Sequence, residues 1–584
     1  MTAGRAIACA VGLAFLVLGV SVAIAADWPQ WGGNEMKNMA SAEKGLPESF
    51  VPGEKDPQGG GIRMETTQNV RWAARLGQMT CSTPTVAGGK VFIGTKRDDL
   101  GAVLCLDEAT GKPLWEWTAP ARQVPATIDG RKFEFSHFPR DLGVCSTVAV
   151  DGDRLYFVSQ RLELVCLSVK GKPKSSAAAG KPAVLKAPAA PKPADAKPDK
   201  APAQKPAEKA PPEKWPEGPG QAEQLWMFDV YEYGVRPSDA VDCSPVFDDK
   251  FVYICSGNGC DRQAEANKHD EDRKAPAPDA PNVMVFDKKT GKLVAKDDVR
   301  IAPRMFHGEW SSLALGKVGG KTLIFFGGGD GKCYAFEAPT AAADTPAILK
   351  MAWSVDCNPP EYQQFGDKDM ILHYCLGDCR RSDALNKKNS DGTFAGMSEI
   401  IATPVFHKNR VYVAIGRDPA HGRGRGALWC IDATKTGDIT QSGKIWCFQG
   451  LDRSISTVSI ADGLLYVADV AGRLHCVDAE TGKPYWIHET GAEVWGSTLV
   501  ADGKVYFPTK KGLYVTAAGK DQKPITKITL GADVWPTPVA ANGVLYVASK
   551  TYLWAVQAKP VAAAVPPAAV QPTSQPRALA SGAL

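Results

Sequence analysis

The chain has 584 residues, 44% hydrophobic and 23% charged, with 57 glycines, 43 prolines, 15 cysteines and a formal net charge of +4. Such a composition excludes a wholly disordered chain and a polytopic membrane protein. Residues 171–220 hold 10 Lys against 5 Asp or Glu, so this stretch supplies +5 and leaves the remainder at −1. With no general basic field, nucleic acid is not an expected partner.

In chain order, Arg5 precedes an apolar run over 6–25 that ends in the small residues Ala23 and Ala25. One positive charge, an apolar stretch and an A-x-A-like end predict a secretory signal, hence a periplasmic or secreted protein. An uncleaved anchor is the alternative, since about 20 apolar residues just span a bilayer. No stable span is expected once the signal is cleaved. Residues 26–68 read as an N-terminal extension. Residues 171–220 are 35 of 50 Ala, Pro or Lys, too poor in large apolar side chains to fold. The tail 560–584 reads the same way.

Repeats decide the fold. DGLLYVAD at 462–469, DGKVYFPT at 502–509 and NGVLYVAS at 542–549 place Tyr466, Tyr506 and Tyr546 at intervals of 40 residues. Five earlier copies exist, from GKVFIGT at 89–95 to NRVYVAIG at 409–416. A short Ser/Thr-rich strand precedes each, such as CSTPTV at 81–86 and CSTVAV at 145–150. A third strand, a turn and a Trp-bearing fourth strand follow most. Four strands per unit of about 40 residues is the period of a propeller blade. Eight units predict an all-β, eight-bladed propeller over 69–559. The last unit lacks a fourth strand, and NVRWAARL at 69–76 is an orphan of that type. Residues 69–76 are therefore expected to close the ring, removing an exposed seam.

The turns Asp107, Thr110, Gly111 and Trp115, and Asp478, Thr481, Gly482 and Trp486, follow D-x-x-T-G-x-x-x-W. This resembles the repeats of pyrroloquinoline-quinone-type β-propellers, and DKKTG at 287–291 is a weaker copy with Ala295 in the Trp position. The resemblance covers about 69–557 and extends to DWPQWGG after the signal. The family includes quinone-dependent alcohol dehydrogenases and the BamB-type outer-membrane assembly proteins, which bind no quinone. The resemblance implies that the repeat turns and Trp residues dock blades together and are silent on chemistry. In the dehydrogenases the quinone lies between a Trp and a disulfide of two adjacent cysteines, beside calcium. This sequence has no Cys-Cys pair, and no calcium ligand set is evident. Neither a cofactor in general nor the quinone with calcium is expected, and no catalytic residue is assigned.

Propeller geometry sends fourth-to-first and second-to-third connections to one rim. His137, His269, His307, His373 and His421 fall there, as do the long insertions 257–282, 356–399 and 417–426. Ligand binding is expected on such loops over a rigid scaffold. Glu309 and Trp310 beside His307 can bind a cation or form a hydrogen-bonded turn. Arg417, Asp418 and His421 begin a Gly-rich loop that can grip an anion or form a solvated hairpin. Arg453, Trp495 and Trp535 enter blades 6 to 8, suiting a polymer, sugar or peptide contact, or interblade packing. His373, Cys375 and Cys379, with Cys357, Cys255 and Cys260, can ligate a metal. Their spacing fits no standard zinc pattern, and loop disulfides are the simpler expectation in an exported protein. Cys105, Cys166, Cys430 and Cys476 share one third-strand register and read as structural.

The functional expectation is an exported, non-catalytic scaffold for a protein or cell-envelope partner. A quinone- or metal-dependent oxidoreductase and a carbohydrate- or peptide-binding module are the alternatives.

Overall fold

The computed structural model describes residues 26–59, 61–122, 142–174, 215–237, 240–259, 276–305, 307–342, 345–362, 397–419 and 423–558. It also describes the backbone of the short pairs at 127–128, 131–132, 364–365 and 368–369. The expected signal, most of the Ala/Pro/Lys insertion and the tail lie outside these residues.

Turn chemistry starts each repeat. Asp462 and Gly463 have φ of 51° and 75°, Asp502 and Gly503 51° and 67°, Asn542 and Gly543 53° and 73°. Two successive positive φ values make the turn whose twist matches an antiparallel hairpin. The hairpins extend into eight sheets of four antiparallel strands. Blade 1 runs from Thr85–Ala87 to Pro113–Pro120, blade 2 from Ala149–Asp151 to Gln224–Asp229, and blade 3 from Val246–Phe247 to Leu293–Lys296. Blade 4 spans Ala314–Val318 to Met351–Asp356, and blade 5 spans Val405–His407 to Lys444–Phe448. Blade 6 spans Ser459–Ala461 to Pro484–Glu489, and blade 7 spans Leu499–Ala501 to Pro524–Ile528.

Blade 8 takes three strands from the C-terminal end and its fourth, Val70–Arg75, from the N-terminal end. Val70 faces Val556 and Arg75 faces Tyr552. The expected closure is present, tying the two ends of the ring with main-chain hydrogen bonds.

Blades dock through the repeat residues. Across the second, third and fourth strands runs an aromatic–Cys–Trp row: Phe92, Cys105, Trp115 in blade 1 and Tyr466, Cys476, Trp486 in blade 6. Blades 2 and 5 repeat it with Cys166 and Cys430. The small sulfur lets the flanking rings approach to 5.9 Å in blade 6. Each Trp then donates its indole N–H to a carbonyl of the next blade: Trp115 to Val169 at 3.1 Å, Trp446 to Ala479 at 3.2 Å, Trp486 to Gly519 at 2.9 Å. Trp72 closes the series on Glu108 at 2.9 Å. Asp107 Oδ1 accepts from the Thr110 N–H and hydroxyl at 2.8 and 2.6 Å, and Asp478 does the same for Thr481. Gly111 must be glycine: its φ is 68° and a Cβ would lie 2.5 Å from the Trp72 ring. In blade 3, Ala295 leaves no indole to dock; its outer strand is joined in parallel by Ala347–Ile348, as that of blade 4 is by Gly437–Asp438.

The N-terminal extension forms the floor of the ring, which the sequence did not announce. It satisfies one equivalent main-chain position on the inner strand of seven blades. Val86 exchanges both main-chain bonds with Trp28, and the Val150 N–H donates to the Pro29 carbonyl. The Leu315, Phe406 and Val500 N–H groups donate to Glu35, Met36 and Met39. The Asn38 amide meets both polar groups of Ile460 at 2.8 and 2.9 Å, and the Ser41 hydroxyl donates to Ala540 O at 2.9 Å. Each bond contributes roughly 1 kcal/mol net, and each group left buried without one costs more. Lys37 is fully buried in this floor, donating to Gln30 Oε1 at 3.0 Å and Trp31 O at 2.9 Å. Burial pulls its amine down to about 7, against the opposing charge of Glu35.

The expected loop disulfides are not formed by the cysteines in view. The eleven described cysteines are free thiols. Cys255 ends a strand rather than occupying a loop, and both it and Cys357 are fully buried. Cys260, Cys375 and Cys379 lie outside the described residues.

Candidate functional site

The inner strands build the channel in two storeys. The deeper storey is a hydroxyl at one register in every blade: Thr83, Thr147, Ser244, Ser312, Thr403, Thr457, Ser497 and Thr537. Seven links run around it, each backbone N–H donating to the hydroxyl of the next blade at 2.8–3.2 Å. Thr403 also accepts the indole N–H of Trp31, from the floor, at 3.0 Å. The ring is largely self-satisfied and rigid.

Two residues nearer the mouth stands a second ring: Cys81, Cys145, Asp242, Trp310, Ile401, Ile455, Trp495 and Trp535. Both storeys, with Trp31 and Asp418, line a cavity of about 200 Å³. The upper ring is chemically lopsided. Blades 1 to 3 offer two thiols and a carboxylate, and blades 4 to 8 offer three indoles and two isoleucines. Trp495 and Trp535 stack with centroids 5.0 Å apart and planes 13° apart, with the Lys510 and Lys550 amines over their rings at 5.1 and 4.0 Å. Trp310 is held by a bond from its Nε1 to Ala240 O at 2.9 Å and by the edge-on His307 ring at 4.7 Å.

Behind this wall lie buried charges. Glu309 is 1% exposed with neither carboxylate oxygen hydrogen-bonded, and Glu399 is 0% exposed. Burial, reinforced by Cys255, Asp297 and Asp330, raises the Glu309 carboxyl well above its ordinary range. Burial raises Glu399 to about 8, with Asp418 adding and Arg417 opposing. Burial thus favours the neutral form of both side chains, as for buried acids without a full counter-charge.

The structure thus divides the expected site residues. Trp310, Asp418, Trp495 and Trp535 meet in the channel. His307, Glu309, Arg417 and Arg453 do not reach it: they are buried at 0–3% exposure in the seams between blades. Arg417 itself is buried beside the main-chain bridge of Glu399 and Gly416, while Arg423 and Arg425 of the same loop are exposed. Arg453 is covered by Gly424, where a Cβ would lie 2.3 Å from its guanidinium. His373, Cys375, Cys379 and His421 lie outside the described residues. Cys81, Cys145, Asp242, Trp31 and Glu399 were missed. The signal for the first three was available, since each stands two residues before the aligned Ser or Thr of its inner strand.

The residues present do not fit a quinone held in the manner of the dehydrogenases. There is no adjacent cysteine pair, and the Trp495–Trp535 faces are already in contact with each other. Asp242 and Asp418 put carboxylates, a poor match for an acidic cofactor, on the cavity wall. Among the described residues no three His, Cys, Asp or Glu side chains are grouped to hold a metal ion.

Residues 62–168, 377–488 and 426–524 match the profile of the family described as outer membrane protein assembly factor BamB. No curated protein matches the chain in sequence. Among solved structures, BamB from Moraxella catarrhalis is 11% identical, covering 84% of this chain and 97% of its own, with a TM-score of 0.47. A europium-containing methanol dehydrogenase is 12% identical, covering 90% and 89%, with a TM-score of 0.49. The quinohemoprotein alcohol dehydrogenase from Comamonas testosteroni is 12% identical, covering 91% and 81%, with a TM-score of 0.43. At these identities and scores the likenesses say nothing about activity. Repeat motifs and blade count make the chain an eight-bladed β-propeller, and over the three matched segments it is similar to the pyrroloquinoline-quinone-repeat, BamB-like family.

Proposed function

We propose that the protein is an exported, non-catalytic propeller that binds a protein or cell-envelope partner at the channel mouth, opposite the N-terminal segment. The observation that carries this reading is the difference between the two ends of the channel among the described residues. The N-terminal segment occupies the inner-strand edges at the floor, while the opposite end presents an unequal ring of indoles, thiols and a carboxylate. A rigid rim with apolar and polar arcs suits an oriented contact with one face of a partner. The profile match to an outer-membrane assembly family supports the same reading. A carbohydrate- or peptide-binding module is the second reading, favoured by the Trp310, Trp495 and Trp535 indoles on one cavity.

The test is complementation in a native-host strain lacking the protein. Trp495→Ala with Trp535→Ala should leave the envelope as permeable as in the deletion strain, at normal protein level. Lys408→Ala with Lys435→Ala, on the opposite rim, should restore it fully. Full rescue by the double Trp variant would refute the mouth as the binding face.

A further inference from the structure

Two thiols face the same cavity. Cys81 and Cys145 occupy one register on the inner strands of blades 1 and 2, and both line the channel wall. The strands that carry them are locked side by side just below: the Ser82 hydroxyl donates to Ser146 O at 3.1 Å, and the Thr83 N–H to Thr147 Oγ1 at 3.2 Å. The Cys145 sulfur is within side-chain hydrogen-bonding reach of both Cys81 and Asp242. The two differ in access: Cys145 is 6% exposed, while Cys81 is half-buried. The other described cysteines that read as structural, such as Cys105 and Cys476, are buried inside blades between an aromatic ring and a Trp.

We propose that Cys81 and Cys145 are a redox-active dithiol that closes to an interblade disulfide at the channel mouth, by exchange with a small disulfide oxidant. The proposal goes beyond the partner-binding reading and stands without it. Cys81, the accessible sulfur, attacks as thiolate one sulfur of the incoming disulfide. A mixed disulfide forms, and the first thiolate leaves and takes up the Cys81 proton from solvent. The Cys145 sulfur, losing its proton to solvent past the Asp242 carboxylate, then attacks Cys81 Sγ and expels the second thiolate, which is protonated in turn. Two thiol hydrogens and two electrons pass from the protein to the oxidant, and one S–S bond is gained as another is broken. Cys145 is suited to the second step only. Its contact with Cys81, its burial and the nearby Asp242 charge hold it as a thiol well above the usual range, so the first attack belongs to Cys81. Closing the bond staples blade 1 to blade 2 and converts the polar arc of the mouth from two hydrogen-bonding thiols to an apolar disulfide.

The experiment uses the purified full chain, reduced and then equilibrated in glutathione buffers from fully reduced to fully oxidised. Remaining thiols are alkylated under denaturing conditions and mapped by mass spectrometry. The expected result is a Cys81–Cys145 linked peptide, loss of alkylation at both sites together, and full reversal by dithiothreitol. Cys105, Cys166, Cys430 and Cys476 should stay alkylatable throughout. Cys81→Ser should abolish the linkage, and Cys145→Ser should leave a persistent glutathione adduct on Cys81. A stable Cys81 adduct in the wild type, or two free thiols at the oxidising end in a chain that circular dichroism shows to be folded, would overturn the proposal. The wild-type map decides the matter even where a variant fails to fold.

Discussion

Replacing Glu399 by Gln tests the reading of the buried wall behind the channel. Glu399 is fully buried, and burial lifts its carboxyl from 4.5 to about 8. An acid whose folded value is raised stabilises the protein fully below its unfolded value, and that contribution is lost as pH rises to the folded one. The window is therefore from 4.5 to about 8. At 1.36 kcal/mol for each tenfold change in proton affinity, the whole linkage has a ceiling of roughly 5 kcal/mol. Relaxation around the charge brings the expected effect nearer ~2 kcal/mol. Gln reproduces the protonated side chain in shape and does not titrate. Denaturant unfolding across pH should therefore show Glu399→Gln close to wild type at about pH 5 and more stable by ~2 kcal/mol at about pH 9. The difference between the two profiles is the readout, because Lys37 acts in the opposite sense. Its depressed amine supplies stability above pH 10.5 that is lost as pH falls through about 7. Parallel profiles, or a Gln variant less stable at every pH above 5, would mean that Glu399 is ionised and paired with Arg417.

Asn38→Ala removes two main-chain bonds to Ile460 from the channel floor and should cost about 2–3 kcal/mol in denaturant unfolding. An unchanged midpoint would mean the floor is not anchored at blade 6. Gly111→Ala drives a Cβ into Trp72 at a positive φ and should destabilise by at least about 2 kcal/mol, read as a lowered Tm. Added pyrroloquinoline quinone with calcium should give no alcohol or aldose oxidation above a heat-denatured control, and cofactor-dependent turnover would restore the oxidoreductase reading.

Strand-level order was legible because it rests on local chemistry. The paired positive-φ residues at 462–463, 502–503 and 542–543, the aromatic strands and the orphan 69–76 segment each specify their own place in a ring. The Ala295 exception was visible too, and the parallel pairing of Ala347–Ile348 was not, because a two-residue pairing has no sequence period. The floor was illegible for a related reason. Trp28, Met36, Asn38 and Met39 bind mainly through main-chain groups or one amide, and their partners lie up to several hundred residues away. At the site, spacing brought Trp495 and Trp535 to one face correctly. Glu309, Arg417 and Arg453 look like surface charges in sequence, yet interblade seams bury them, and only tertiary packing decides that. Cys81, Cys145 and Asp242 were hidden because their meaning lies in the ring of eight, not in any one strand.

On the proposed reading the mouth, and not the floor, meets a partner. In-cell photocrosslinking tests it most directly, with a photoreactive residue at Asp242 or Glu493 on the mouth and at Lys408 or Lys435 on the opposite rim. One discrete envelope adduct is expected from each mouth position, lost when Trp495 and Trp535 are replaced by Ala, and none from the opposite rim. The same adduct from Lys408 and Lys435, with none from the mouth, would contradict it.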